Sequence, residues 1–299
     1  MTIADICLKL NELGFTHRFY GDEKLEITGF SDPKDYKPNT MIWIGKLADI
    51  QLKEGLTYTD IALAFVKPET ELEGKLPNVL VTDDPKTAFM KLVYEEYATP
   101  PYEYTDPTAY ISTTAKIGKD CYIGRNVIIE DGVILGDCCE IRENTFIGKD
   151  SIVGNHCVIG QNCVIAGETN GSTFQDTDGI LKNMPNLGRV IIGNATQIGA
   201  GSLIAKGTFT DTVIGNECEL NAGTSVGHNC KIGNKTLLLG RCTLSGNTKI
   251  GNHCQLISAC VKNRIVIGNN VKVGMGSVVL KDIEDGKTCF GNPARIIPG

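Results

Sequence analysis

One histidine of this chain stands out as a candidate proton acceptor. The sequence has four histidines, and a neutral imidazole accepts a proton near neutral pH because its ordinary pKa is ~6.5. His17 lies outside the repeats described below, and His156 and His253 occur in two matching GNHC turns, which favours exposed corner positions. His228 lies instead in SVGHNCKIG, closer to the preceding aliphatic residue. His228 is therefore the candidate proton acceptor among the four; the alternative is an ordinary corner histidine.

Short repeats of six residues must position this histidine. An aliphatic residue returns every six places in four runs that together hold 24 positions. These positions are Ile111, Ile117, Ile123, Ile129, Leu135, Ile141, Ile147, Val153, Ile159, Ile165, Ile192, Ile198, Ile204, Ile214, Leu220, Val226, Ile232, Leu238, Leu244, Ile250, Leu256, Ile267, Val273 and Val279. A period of six predicts a solenoid in which three hexapeptides form one triangular coil. We therefore expect about eight coils, each burying its aliphatic ladder against its neighbours.

The coil length places a glycine beside the candidate base. Gly246 follows His228 by eighteen residues, which is one full coil, so the two residues are expected to stack on the same corner. A glycine allows a ligand to approach the backbone closely. Because glycine is common in these turns, an ordinary corner residue is the alternative interpretation.

Two insertions interrupt the repeats near the same corner. A long loop spans 166–190, and four extra residues follow Ile204. If each insertion returns to the next repeat, both project at the corner of His228. Insertions in repeat proteins often mark the binding face, although a solvated loop that stabilises a trimer is the alternative. The candidate substrate contacts in the long loop are Phe174, Asp176 and Asp178.

The twelve cysteines predict packing rather than disulfides or a bound metal. Eight of them lie four places after an aliphatic ladder residue, in a slot that takes a small inward side chain. These are Cys121, Cys139, Cys157, Cys163, Cys218, Cys230, Cys242 and Cys254. A free cysteine packs as a small hydrophobe, and its persistence fits a reducing compartment.

Composition argues against nucleic-acid and membrane partners. The net charge is −6 and the charged residues are interspersed, so no basic stripe is present to bind a polyanion. No apolar run approaches the ~20 residues that span a bilayer, and the start MTIADICLKLNELG lacks the layout of a secretion signal. We expect a cytoplasmic protein without membrane insertion.

The first third of the chain has a different organisation. Residues 1–104 lack the six-residue period and contain a helical pattern opened by Thr2. Strand-like runs follow at LEITGF, TMIWIG, DIALAFV and NVLVTD, and a second helix is expected from Asp84 through Tyr97. We predict a small α/β domain over 1–104 and a mainly β repeat domain over 105–299, joined by the proline-containing segment ATPPYEYTDPT.

Residues 109–297, with their regular period and glycine-rich corners, resemble the hexapeptide-repeat acyltransferases. The resemblance implies a left-handed parallel β-helix. The handedness comes from the family alone, because the general rule for parallel crossovers favours the right hand. The resemblance also implies a homotrimer with active sites between neighbouring chains.

The first domain and the repeats are similar to the UDP-3-O-acylglucosamine N-acyltransferase family in ITGFSD, IWIGK, FVKPE and LPNVLVTDDP. This similarity implies that Trp43 stacks on a nucleotide base, although a core position is the alternative. The family's second aromatic residue is Asp49 here, which leaves another pyrimidine nucleotide open besides uridine. The similarity also implies His228 as general base and the amide of Gly246 as oxyanion support. A further histidine of that family is replaced by Arg264.

The end of the chain, GMGSVVLKDIEDGKTCFGNPARII, resembles that of the acetyl-coenzyme A-dependent hexapeptide transferases. The resemblance implies acyl-coenzyme A as co-substrate and no tightly bound cofactor. The residues it implies as coenzyme contacts are Gly276, Ser277, Lys281 and Arg295.

Four hypotheses about function follow. The favoured one is an N-acyltransferase that moves a short acyl group from acyl-coenzyme A to the amine of a UDP- or dTDP-linked amino sugar, for lipopolysaccharide or another surface glycan. The second is the lipid A N-acyltransferase itself, with a hydroxyacyl carrier protein as donor. The third is a zinc carbonic anhydrase, which needs three converging histidines where this chain offers one of suitable character. The fourth is a non-catalytic β-helix that serves as an interaction module.

Overall fold

The computed structural model describes residues 1–45, 50, 52, 54–68, 75–97, 103–167 and 173–297. The chain divides into two compact units, Met1–Pro100 and Pro101–Gly299. The first unit is α/β and the second is a β-solenoid. Within the described residues, neither α-helix is long and apolar enough to cross a bilayer.

A five-stranded sheet with two helices forms the first unit. Its elements are α1 Ile3–Glu12, β1 Arg18–Tyr20, β2 Gly29–Phe30, β3 Thr40–Trp43, a 3₁₀ turn Tyr58–Asp60, β4 Leu63–Val66, β5 Val79–Val81 and α2 Pro85–Tyr97. The strand order is β1-β5-β4-β3-β2, and only β1 runs antiparallel to its neighbour. Thr2 opens α1 through a capping box with Asp5, as its position before the helical pattern predicts.

The solenoid has three faces of short parallel strands. The first face consists of Tyr110–Ile111, Ile128–Ile129, Phe146–Ile147, Val164–Gly167, Leu203–Ala205, Ser225–Val226, Thr243–Leu244, Cys260–Val261 and Val278–Val279. The second face consists of Lys116–Ile117, Ile134–Leu135, Ile152–Val153, Val190–Ile192, Thr212–Ile214, Lys231–Ile232, Lys249–Ile250 and Val266–Ile267. The third face consists of Tyr104–Thr105, Tyr122–Ile123, Glu140–Ile141, Val158–Ile159, Gln197–Ile198, Glu219–Leu220, Leu237–Leu239, Gln255–Ile257, Lys272–Val273, Thr288–Phe290 and Arg295–Ile296.

The solenoid has nine coils rather than the expected eight. The described strands number nine, eight and ten on the three faces, and Arg295–Ile296 adds one antiparallel strand at the end. The sequence period missed Val261 because it follows Leu256 by five residues instead of six. It also missed the outermost strands at Thr105 and Cys289, whose ladder positions lack an aliphatic residue.

A column of amide and carboxylate side chains closes the corner between the second and third faces. Each side-chain oxygen accepts a backbone N–H from the preceding coil at 2.8–2.9 Å. The column consists of Asp137, Asn155, Asn194, Asn216, Asn234, Asn252, Asn269 and Asp285. These bonds satisfy corner amides that the strand ladders leave free.

The eight predicted packing cysteines are all buried, with at most 4% exposure. Their thiols also donate hydrogen bonds between coils, as Cys218 Sγ does to the carbonyl of Gly233 at 3.1 Å. Thr196 and Thr236 occupy the same slot in the adjacent coils and donate through their hydroxyls. The slot therefore selects a small side chain with a donor, which a purely hydrophobic interpretation did not predict. Burial raises the pKa of the Cys230 thiol to about 11, so this thiol stays protonated at neutral pH.

A matched pair of substitutions tests the role of the donor. Cys218→Thr keeps a donor for the Gly233 carbonyl, whereas Cys218→Val has nearly the same shape without one. We expect the valine variant to be less stable than the threonine variant by about 1 kcal/mol in the free energy of unfolding, the usual net value of one hydrogen bond. Urea denaturation of both variants measures the difference. Equal stabilities would show that the slot selects for size alone.

Candidate functional site

One corner of the solenoid collects the predicted base, the predicted glycine and both insertions. The strands that precede them, Val164–Gly167, Leu203–Ala205, Ser225–Val226 and Thr243–Leu244, are consecutive neighbours in the first face. Each insertion therefore returns to the next strand position, as the sequence interpretation required. We call the turns between the first and second faces at this level the site corner.

The imidazole of His228 packs directly against Gly246. A Cβ atom built on Gly246 would lie 2.8 Å from both Cδ2 and Cε1 of His228, and closer still to Nε2. The carbonyl of Gly246 accepts a hydrogen bond from the Arg264 backbone N–H at 3.1 Å. The Gly246 N–H makes no hydrogen bond to any residue that the structure describes. This amide is therefore available to an oxyanion beside the imidazole.

Asn229 is the partner of the imidazole within the chain. Its Oδ1 lies 2.8 Å from His228 Nδ1. Sequence reasoning did not single out this residue, because asparagine with positive φ recurs at the corners, as at Asn126 and Asn144. The only signal for Asn229 in the sequence was that it directly follows His228 and precedes Cys230, which the structure buries.

The end of the long insertion is tied to the short one. The Leu187 N–H donates to the carbonyl of Thr208 at 2.7 Å. Arg189 forms an ion pair with Asp211 at 3.0 Å, and its guanidinium is the main cause that lowers the pKa of the Asp211 carboxyl. Lys231 Nζ donates to the backbone carbonyl of Asp211 at 2.7 Å. These contacts hold the ends of the two insertions in place at the site corner.

The described part of the long insertion includes a hairpin of Thr173–Gln175 and Leu181–Asn183; residues 168–172 lie outside the described residues. Asp176 shapes the hairpin turn, since its Oδ1 accepts the N–H groups of Asp178 and Ile180 and its carboxylate pairs with Lys182 at 3.5 Å. Phe174 and Asp178 are exposed. Of the three candidate substrate contacts in this loop, Asp176 thus stabilises the hairpin turn itself.

Trp43 ends β3 in the first unit and is half-buried. It packs against the hydrophobic cluster that includes Phe65, and Lys86 Nζ lies 5.7 Å from the centroid of its ring. This cation–π contact covers part of the indole. The position expected for its aromatic partner, Asp49, lies outside the described residues.

Two of the four predicted coenzyme contacts lie at the corner between the third and first faces. Gly276 has φ +70° and no atom within 4 Å of a Cβ built on it. Ser277 is fully buried; its hydroxyl donates to the Gly274 carbonyl at 2.7 Å and accepts the Gly291 N–H at 3.1 Å. The Ser277 side chain is therefore part of the packing between coils.

The other two predicted coenzyme contacts are exposed cations. Lys281 follows the first-face strand Val278–Val279, which is three strands beyond Ser225–Val226. It therefore lies on the same edge of the solenoid as His228, three coils further along. Arg295 lies in the antiparallel strand that ends the third face. Among the described residues no group of three or more histidine, cysteine or acidic side chains could hold a metal ion.

Two family models match parts of the chain. The model described as the GMPPB C-terminal domain matches residues 100–210. The model described as the hexapeptide repeat of succinyl-transferase matches residues 210–235. The second match covers the turn that carries His228.

Curated relatives match over short stretches. A UDP-3-O-acylglucosamine N-acyltransferase of Dechloromonas aromatica is 51% identical over 57 residues, which are 19% of this chain and 16% of the relative. One of Leptospira biflexa is 36% identical over 72 residues, which are 24% of this chain and 20% of the relative. The chain therefore matches about a fifth or less of the length of these two relatives.

Solved structures match the solenoid more broadly. The UDP-N-acetylglucosamine acyltransferase of Francisella novicida has a TM-score of 0.59 at 21% identity, with 65% of this chain and 70% of that chain covered. The corresponding protein of Campylobacter jejuni has a TM-score of 0.58 at 22% identity, with 65% and 74% covered. At these identities the likeness shows the fold alone. The chain therefore has the left-handed parallel β-helix fold of these acyltransferases, built from its own six-residue repeats.

Proposed function

We propose that this protein is an N-acyltransferase that moves a short acyl group from acyl-coenzyme A to the amine of a UDP- or dTDP-linked amino sugar. The observation that carries the proposal is the imidazole of His228, which packs against Gly246 and has Asn229 Oδ1 at its Nδ1. The backbone N–H of Gly246 makes no hydrogen bond to a described residue. A base next to an oxyanion donor is the arrangement that acyl transfer from a thioester needs.

The reaction follows from these groups without an acyl-enzyme. The neutral amine attacks the thioester carbonyl, a C–N bond forms, and the Gly246 N–H stabilises the oxyanion of the tetrahedral intermediate. His228 Nε2 removes a proton from the new ammonium group. The intermediate then collapses with cleavage of the C–S bond, and the proton passes from the imidazolium to the departing thiolate. The products are an amide and free coenzyme A.

The acyl donor is proposed to lie along the edge of the solenoid that joins His228 to Lys281. Lys281 is three coils from His228, a rise of about 14 Å at the ~4.8 Å spacing of parallel strands, which an extended pantetheine arm can cover. The exposed ammonium of Lys281 and the exposed guanidinium of Arg295 suit phosphate groups of the coenzyme. Exposed Phe174 and Asp178 are proposed acceptor contacts. Trp43 is proposed to contact the nucleotide. The proposed assembly is a homotrimer. The proposed location is the cytoplasm, which suits twelve free thiols.

The test combines acetyl- and 3-hydroxybutyryl-coenzyme A with UDP- and dTDP-linked amino sugars and follows thiol release. We expect turnover with at least one pair, and an acceptor whose mass increases by one acyl group. Absence of turnover with every coenzyme A donor would contradict this choice of donor.

The second candidate is the lipid A N-acyltransferase reaction with a hydroxyacyl carrier protein. The identity to UDP-3-O-acylglucosamine N-acyltransferases over 57 and 72 residues favours it. Replacing coenzyme A by the acylated carrier protein in the same assay separates the two. Turnover with the carrier protein alone would select the second candidate.

A further inference from the structure

The carboxamide of Asn229 makes four hydrogen bonds at the site corner. Its Oδ1 accepts the Thr208 N–H at 3.1 Å and lies 2.8 Å from His228 Nδ1. Its Nδ2 donates to both the carbonyl oxygen and Oγ1 of Thr210, each at 2.8 Å. One side chain thus contacts the imidazole and the short insertion at the same time.

These partners determine which way the amide points. A backbone N–H can only donate and a carbonyl can only accept, so the oxygen of Asn229 must face Thr208 and its nitrogen must face Thr210. The atom next to His228 Nδ1 is therefore an acceptor. A neutral imidazole carries one proton, which must lie on Nδ1 for this bond to form. Nε2 then keeps its lone pair beside Gly246, which is the form that a base requires.

The backbone of Asn229 is held as firmly as its side chain. Its N–H donates to Oγ1 of the buried Thr212 at 2.8 Å. Thr208, which Asn229 fixes, in turn accepts the N–H of Leu187 from the end of the long insertion. A continuous set of hydrogen bonds therefore runs from the imidazole to both loops.

We propose that Asn229 is the positioning residue of this site, which holds His228 as the Nδ1-protonated tautomer and also holds the two insertions that contact the acceptor. The inference rests on the proposed function and deepens it. Asn126, another corner asparagine at positive φ, bonds differently, since its Nδ2 donates to the next corner asparagine, Asn144.

Two substitutions of Asn229 separate its two tasks. Asn229→Ala removes every side-chain contact. Asn229→Asp keeps an acceptor for the imidazole and for the Thr208 N–H, but places a carboxylate oxygen against the Thr210 carbonyl. Asn270→Ala is the matched control, since Asn270 also has positive φ and is exposed at the corner between the second and third faces.

In Asn229→Ala we expect kcat to fall on the order of 10- to 100-fold, part of the contribution of an oriented base. In Asn229→Asp we expect kcat within about threefold of wild type and a KM for the acceptor raised about tenfold, the cost of one disrupted hydrogen bond. Asn270→Ala is expected to keep both constants. Melting temperatures of the three variants control for loss of fold.

The tautomer is measured independently of activity by ¹⁵N–¹H NMR of the four histidine rings, with His228→Asn for assignment. We expect an Nδ1-protonated ring in wild type and in Asn229→Asp, and a mixture of tautomers in Asn229→Ala. A ring protonated on Nε2 in the neutral wild-type protein would overturn the proposal. Unchanged tautomer and kcat in Asn229→Ala would do so as well. Should no acyl transfer be found with any donor, the function fails while the ring spectra still decide the role of Asn229.

Discussion

His228→Asn is expected to lower kcat for acyl transfer by on the order of 10²- to 10⁴-fold, the range that a positioned general base contributes. The asparagine amide can still donate towards Asn229, as Nδ1 does now, but it has no atom equivalent to Nε2. Loss of the base is therefore separated from loss of the local hydrogen bond. Steady-state kinetics with saturating donor and acceptor measures the effect.

The control for this variant is His253→Asn. His253 occupies a corner position with φ +55°, which asparagine tolerates well, and it lies between the second and third faces, away from the site corner. We expect its kcat to equal that of the wild type. Equal activity of His228→Asn and His253→Asn would remove His228 from the chemistry.

Gly246→Ala is expected to disturb the site through one methyl group. The φ of Gly246 lies outside the left-handed region, so alanine suits the backbone, but the three atoms nearest to its Cβ all belong to the His228 ring. The ring must move, and we expect activity to fall at least about tenfold because a small displacement of a catalytic group is costly. Overpacking of this kind also costs about 1–3 kcal/mol of stability.

A double-mutant cycle tests whether the clash with the His228 ring causes the loss of stability in Gly246→Ala. In the background of His228→Ala the ring is gone, so most of the stability cost of Gly246→Ala should disappear. Denaturant unfolding of the wild type, both single variants and the double variant supplies the coupling energy. Additive effects would mean that the methyl group strains the coil rather than the imidazole.

The period of the sequence was enough to predict the pairing of His228 with Gly246. Eighteen residues make one coil, and a parallel strand ladder keeps such residues in register, as Val226 and Leu244 are. The shared corner of the two insertions followed from the same counting. Long-range structure was predictable here because a solenoid converts distance in sequence into position in space.

The hydrogen bonds of the site were not predictable in this way. Asn229 resembles every other corner asparagine in the sequence, and its role depends on Thr208 and Thr210, whose placement depends on how an irregular insertion folds. Ser277 shows a signal that was available but unused. It follows the ladder residue Val273 by four places, the inward slot of the buried cysteines, and the structure buries it accordingly.

The most direct test of the central claim is a single-turnover reaction with an acyl donor labelled in the acyl group, analysed by intact-mass spectrometry of acceptor and protein. We predict that the wild type transfers the acyl group to the acceptor nitrogen as an amide, that the protein mass stays unchanged throughout, and that His228→Asn forms almost no product. An acylated protein, or equal yields from wild type and His228→Asn, would contradict direct transfer with His228 as the base.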